Sequence, residues 1–313
     1  MSRSYYVIFN ANAGTALGMG LTADRLQEEF RAAGLNATIN ADVNDSMEQR
    51  ITKAIASEAE VIVAAGGDGT ITTVANAVID TNKILAILPL GTVNALAKDM
   101  HIPLATAEAV AALGRSEIHK IDAGEVNGQV FLHKVVVGLV PAMAAGREFI
   151  RGRESWGARL ALLRYFARRI VRTKRMAVAI EMPDGERRVE RIHSLAVASN
   201  EYDEAFGHLL SRARLDTGTL TLYVFKHLNF LEVLRLAGGM VLGRWRDAES
   251  LRLEKVKSVT IDSHKRLLKV MFDGDVRSLE TPLHFRIRPQ ALAVLVPPEA
   301  EGVHEVPAAT SLG

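Results

Sequence analysis

Val61-Ile62-Val63-Ala64-Ala65-Gly66-Gly67-Asp68-Gly69-Thr70 is an apolar run that empties into a glycine-rich turn. Consecutive apolar residues ahead of such a turn describe a strand buried on both faces. The glycines permit φ > 0 and let backbone N–H groups approach a polyanion closely. Ile71 to Ile79 follow with helical spacing, so the turn opens onto a helix N-terminus, where the dipole favours negative charge. Asp68 is the odd member. A carboxylate beside phosphates is repelled unless a cation or a hydrogen-bond network intervenes. No Gly-Lys-Ser/Thr follows, so the turn is not a Walker A loop. The same pattern also serves as a plain tight strand–helix connection.

The surrounding residues alternate strand and helix. Strands are predicted at 5–10, 36–40, 61–65 and 84–88. Thr22 can cap a helix that buries Leu26 and Phe30 and stops at Gly34; Ser46 and Gln49 have capping-box spacing before another. Further helices are expected over 71–80, 95–99 and 105–113. Repeated β-α-β units with apolar strands imply a parallel sheet covered on both faces. Ligands of such sheets bind beyond the strand C-termini, where the loops at 10–14, 66–70 and 89–94 lie.

The character changes after about residue 117. Asn127-Gly128 sits between apolar stretches at 121–126 and 129–137, and Pro183-Asp184-Gly185 between 176–182 and 189–199; both read as hairpins. Strands at 219–225, 258–262, 267–272, 284–288 and 291–296 continue the pattern, with helices expected over 155–173 and 229–242. The expected fold is an α/β nucleotide-binding domain over 1–122 and a mainly antiparallel β-sandwich over 123–296. Residues 297–313 are a candidate to rejoin the first domain, and the active site is expected in the interdomain cleft.

The 313 residues contain no cysteine, which excludes disulfides, thiolate catalysis and Cys-based zinc sites. No apolar run approaches membrane-span length. Net charge is only +2, yet residues 147–175 carry ten basic side chains against Glu148 and Glu154, leaving the remainder net negative. Trp156, Leu160, Leu163, Phe166 and Ile170 share one helical face there, and Arg164, Arg168, Arg172 and Arg175 the opposite one. A basic amphipathic helix lies on an anionic bilayer or packs on its own domain with a solvated face. No nucleic-acid recognition signature appears.

Four segments then stand in one order and spacing: Asn10-Ala11-Asn12-Ala13-Gly14, Gly66-Gly67-Asp68-Gly69-Thr70, Pro89-Leu90-Gly91-Thr92-Val93-Asn94 and Phe272-Asp273-Gly274-Asp275. From about residue 5 to 297 the chain resembles the soluble diacylglycerol kinase-like lipid kinases, which include bacterial diacylglycerol kinases and sphingosine kinases. The resemblance implies phosphoryl transfer from ATP, with Mg2+, to a lipid hydroxyl. It implies that Asn10, Asn12, Gly14, Gly66, Gly67, Gly69, Thr70, Gly91, Thr92 and Asn94 hold the nucleotide. Asp68 would handle Mg2+, and Asn94 is equally read as a helix N-cap. Asp275 stands where the family has Glu and would accept the acceptor proton, with Asp273 sharing or taking that role.

The chain also departs from the family pattern. Thr72 replaces an Asn, and Ala41 a Thr. Family members often carry Asp-Asp-Gly where this chain has Asp216-Thr217-Gly218, the second Asp binding a structural Mg2+. By family position Arg214, Thr217 and Thr219 belong to that site, with Asp216 the remaining carboxylate; recruitment of Asp216 and loss of the cation are both open. The expected partners are ATP, a lipid substrate and, through 147–175, an anionic membrane surface, with a homodimer left open and no nucleic acid. The expected location is cytoplasmic and peripheral at the inner membrane surface. Two other functions stay compatible with these residues: a kinase of a soluble acceptor, as in NAD kinases, and a catalytically weak nucleotide-binding membrane module.

Overall fold

A computed structural model describes residues 3–11, 13, 18, 20–42, 44–138, 175–203, 211–226, 232, 235, 238–239 and 251–298. The first part alternates as predicted: β1 (Ser4–Phe9), α1 (Ala23–Ala32), β2 (Asn36–Asn40), α2 (Met47–Ala56), β3 (Val61–Gly66), α3 (Asp68–Val78), β4 (Ile84–Pro89), α4 (Ala95–Asp99) and α5 (Thr106–Leu113). The predicted caps hold. Thr22 accepts from the Arg25 N–H, and Ser46 and Gln49 form a reciprocal capping box. Helix α3 starts three residues earlier than its apolar spacing suggests, because Ile71 N–H already bonds Gly67 C=O at 3.1 Å. Asp68, Gly69 and Thr70 are therefore its first turn rather than a free loop.

The strands that follow are β5 (Glu117–Val126), β6 (Gln129–Phe131), β7 (Lys134–Gly138), β8 (Met176–Glu181), β9 (Arg187–Ile192), β10 (Ser194–Ser199), β11 (Leu220–Phe225) and β12 (Leu251–Val256). The last four are β13 (Ser258–Asp262), β14 (Leu267–Phe272), β15 (Asp275–Glu280) and β16 (Leu283–Val296). The predicted strand over 129–137 is split, since the N–H groups of Leu132, His133 and Lys134 leave the ladder for the Asp273 carboxylate. The two strands expected at 284–288 and 291–296 are one, bent where its register shifts between Arg288 and Leu292, with Gln290 at φ 48°. The charged edge strands β12 and β15 carry too few alternating apolar residues to announce themselves. The helix expected at 155–173 lies outside the described residues, as does most of that at 229–242, where Glu232, Arg235, Gly238 and Gly239 are helical.

One sheet runs β2-β1-β3-β4-β16-β13-β8-β9, parallel up to the β4–β16 pair, with β5 lying antiparallel along β16. The second sheet, β12-β11-β10-β7-β14-β15, is antiparallel throughout. Helices cover the parallel part around Val7, Ile62, Leu85 and Phe30, all essentially inaccessible. A second core fills the space between the antiparallel sheets, where Phe131 meets Phe272 and Phe285 edge-on with centroids 6.1 Å apart in each pair. The Thr281–Pro282 bond is cis. Strand β16 takes part in both halves of the first sheet, and the turn between β14 and β15 meets the first turns of α3 through the Thr72–Asp273 hydrogen bond.

Candidate active site

The C-terminal ends of β1, β3 and β4 converge as the loop positions require. Asn10, one residue beyond β1, donates its amide to Thr70 Oγ1 at 3.0 Å. Gly66 ends β3, and a Cβ built there would stand 2.6 Å from both Cβ and Oγ1 of Thr70. Only glycine leaves room for the Thr70 side chain under the turn. Gly67 and Gly91 meet backbone to backbone, since a Cβ on Gly91 would lie 2.7 Å from Gly67 Cα. Thr92 and Val93 form the exposed tip of the 91–94 turn. Asn12 and Gly14 lie outside the described residues.

Asp68 turns away from its own helix. Its Oδ1 accepts the Ala95 N–H at 2.7 Å and its Oδ2 the Asn94 N–H at 3.0 Å. It thereby caps α4 from another part of the chain. Asn94 occupies the cap position of α4 but gives no side-chain cap bond. With φ at 51° it folds back on Gly91, accepting that residue's N–H and donating to its C=O, both at 2.8 Å. The cap reading of Asn94 is therefore replaced: Asp68 does the capping and Asn94 closes the turn.

Gly67 at the cap position of α3 has no side chain to cap it, and among the described residues no side chain is seen bonded to the first N–H groups of the helix, whose positive dipole end favours an anion. Facing that end is Asp275, the first residue of β15. Its side chain is 63% exposed and lies 3.7 Å from Arg277. A Cβ built on Gly69 would stand 3.4 Å from Asp275 Oδ2. The two sequence segments, 206 positions apart, meet at the helix N-terminus despite the shorter side chain at 275.

Asp273 has a different environment. Its Oδ1 accepts the N–H groups of His133 and Lys134, each at 2.9 Å, and its Oδ2 accepts the Leu132 N–H at 2.7 Å and the Thr72 hydroxyl at 3.1 Å. Burial pushes this carboxyl up while the four donors pull it down. All of its acceptor directions are used in joining α3, the β6–β7 turn and the β14–β15 turn. Asp273 thus positions these three segments, and its lone pairs are already engaged in doing so. Thr72, where the family pattern has Asn, supplies one of those bonds. Asn76 adds a second link, its amide donating to Val130 C=O at 2.8 Å and accepting the Val130 N–H at 2.9 Å.

Sequence reading does not find the buried network behind this turn. Arg212, 2% exposed, donates Nε and Nη2 to Asp99 Oδ2 at 2.9 and 2.7 Å, and Nη1 to the carbonyls of Leu132 and Ser199. Its Nη2 also lies 3.2 Å from His133 Nε2. Guanidinium only donates, so this nitrogen is the acceptor and the ring proton sits on Nδ1, directed to Tyr202 Oη at 3.3 Å. Burial and then the charges of Arg212 and Lys134 hold His133 well below its ordinary range, so it is neutral. Burial, reinforced by Arg212, lowers Lys134 to about 8, and its ammonium lies 4.7 Å from the Tyr202 ring centroid. Asp99 is raised by burial and lowered by Arg212. Asp99 and Arg212 are separated by 113 positions, and neither belongs to a local motif.

The metal positions implied by the family lie at 214–219. Asp216 is turned outward to Arg214, Oδ1 to Nε 3.0 Å. Thr217 and Thr219 face each other, hydroxyl to hydroxyl at 3.0 Å. Among the described residues no group of three or more His, Asp or Glu side chains gathers to hold a metal ion. None of their helices is long and apolar enough to cross a membrane.

Residues 4–126 match the diacylglycerol kinase catalytic domain, and residues 155–296 match the YegS C-terminal NAD kinase beta sandwich-like domain. A diacylglycerol kinase of Staphylococcus epidermidis is 22% identical over 306 residues, spanning 95% of this chain and 93% of that protein. One from Bacillus subtilis is 34% identical over 134 residues, 41% of this chain and 43% of that protein. A crystal structure of a diacylglycerol kinase from Bacillus anthracis superposes with a TM-score of 0.67 at 19% identity, covering 95% of this chain and 97% of that one. The chain belongs to the diacylglycerol kinase-like family of lipid kinases.

Proposed function

We propose that the protein transfers the γ-phosphoryl group of ATP, as its Mg2+ complex, to the hydroxyl of diacylglycerol or a related long-chain lipid alcohol. The observation that carries this reading is the approach of Asp275 to Gly69 at the uncapped N-terminus of α3. An acid from the antiparallel half faces an anion cradle from the parallel half. Phosphoryl transfer needs little more than positioning and charge neutralisation.

In this reading the N–H groups at the start of α3 receive the phosphates, while Asn10 and Thr70 brace the first turn and Gly91, Thr92 and Asn94 close the neighbouring one. The lipid oxygen forms the new P–O bond as the bond to the ADP oxygen breaks, and its proton passes to Asp275 directly or through one water. Mg2+ bound with the nucleotide neutralises phosphate charge, and Asp68, each of whose oxygens accepts one N–H and keeps a second lone pair, is the residue that would hold it. The basic stretch 147–175 supports presentation of the chain to an anionic lipid surface, each basic residue contributing on the order of 1 kcal/mol near such a surface.

The test uses purified protein, labelled ATP, Mg2+ and mixed micelles of diacylglycerols, sphingoid bases and other lipid alcohols. Label in a lipid product is expected. Label only in NAD or a sugar would move the assignment to a soluble acceptor. Nucleotide binding with no labelled acceptor would favour the binding module.

A further inference from the structure

The 214–219 loop is where the family resemblance implies a structural Mg2+, and its atoms do not fit one. Gly218 N–H donates to Asp122 Oδ2 at 2.6 Å, and Asp122 Oδ1 accepts the Gln290 N–H at 2.8 Å. The Asp122 N–H bonds Leu215 C=O at 2.7 Å. Thr217 sends both its N–H, at 3.1 Å, and its hydroxyl to Asn200 Oδ1. The Asn200 N–H closes the ring on Thr219 C=O at 3.0 Å.

Mg2+ asks for oxygen lone pairs in near-octahedral array at about 2.0–2.1 Å. Here position 217 offers a hydroxyl where the family pattern has a carboxylate, and both lone pairs of Asn200 Oδ1 are taken, by the Thr217 N–H and by that hydroxyl. Asn200 is fully buried, and among the described residues its Nδ2 has no hydrogen-bond partner. Since Oδ1 must face the Thr217 N–H, the amide cannot flip, and its other head, Nδ2, is a donor that can ligate no cation. The one carboxylate left in the loop, Asp216, is 44% exposed and paired with Arg214.

We infer that in this chain Asn200 and Asp122 hold the 214–219 loop by hydrogen bonds, with no divalent cation in it. Asp122 comes from β5 and Asn200 follows β10, so the loop is fastened at two points, and the Gln290 N–H at the bend of β16 braces the Asp122 carboxylate. The Asp273–Asp275 turn is tied to its neighbours through Asp273 and its donors Thr72, Leu132, His133 and Lys134. The metal requirement of the protein is then confined to the nucleotide.

Amide hydrogen exchange of the peptide spanning 214–219, measured on the full chain without nucleotide, tests this directly. The exchange is expected to be the same in EDTA and in millimolar Mg2+. Asn200→Ala should accelerate it equally in both. Thr217→Val, which removes one donor and keeps the side-chain shape, should do so to a smaller degree and serves if Asn200→Ala does not fold. Slower exchange in Mg2+, with the slowing abolished by Asp216→Ala, would overturn the inference.

Discussion

Asp68 Oδ1 accepts the Ala95 N–H at 2.7 Å, so an acid in the first turn of one helix caps the N-terminus of the next. The side chain that the sequence offers as a metal ligand is also the strut that fixes the 91–95 turn. Asp68→Asn keeps one acceptor and turns an NH2 toward a backbone N–H. It should cost about 1–2 kcal/mol of stability, speed amide exchange over 91–99, and lower turnover. Wild-type exchange in that segment would remove the strut role.

The glycines differ in what they tolerate. Gly91→Ala puts a Cβ 2.7 Å from Gly67 Cα, a backbone atom that cannot move away alone. The cost should be about 1–3 kcal/mol, as for other overpacked positions. At Gly69 the same atom would meet Asp275 Oδ2 at 3.4 Å, an ordinary contact. Gly69→Ala should therefore leave the thermal midpoint near wild type while lowering kcat by crowding the carboxylate. Denaturation curves and turnover of the two variants give the comparison.

Asp99 and Arg212 form an ion pair with side chains 2% and 1% exposed. Removing one partner strands the other's charge in the interior, at about 3–5 kcal/mol. Asp99→Asn should show a loss of that size in urea unfolding. Asp99→Leu with Arg212→Met should lose less than the sum of the two single changes, and strict additivity would contradict a coupled pair.

Lys134 gives the protein a defined alkaline signature. Its folded pKa of about 8 lies below the unfolded 10.5. Between these values the unfolded chain holds a proton that the folded chain has released, so stability rises with pH across that window. Below about pH 8 the buried ammonium opposes folding in full. Relative to Lys134→Met, the wild type should gain up to about 3 kcal/mol on going from pH 8 to 10.5. A pH-independent difference would mean that Lys134 stays charged and solvated.

The parallel half of the fold is legible in the sequence because its strands are uninterrupted apolar runs and its helices carry side-chain caps such as Thr22 and the Ser46–Gln49 pair. The loops at 10, 66–70 and 91–94 follow from that topology alone. What periodicity does not show is long-range polar pairing. Nothing near Asp273 in the sequence says that its carboxylate will break a strand at Leu132–Lys134, nor does Arg212 point to Asp99. The capping role of Asp68 is hidden for the same reason, since its partners are 26 and 27 positions away. Asp275, by contrast, is found through family resemblance and reaches Gly69 even with its shorter side chain.

The measurement closest to the central claim is the turnover of Asp275→Asn with diacylglycerol micelles and ATP, alongside its nucleotide affinity. The substitution keeps size and removes the proton acceptor. The account predicts a fall in kcat of about 10²–10⁴-fold with the ATP Kd unchanged. Wild-type turnover by Asp275→Asn would contradict it.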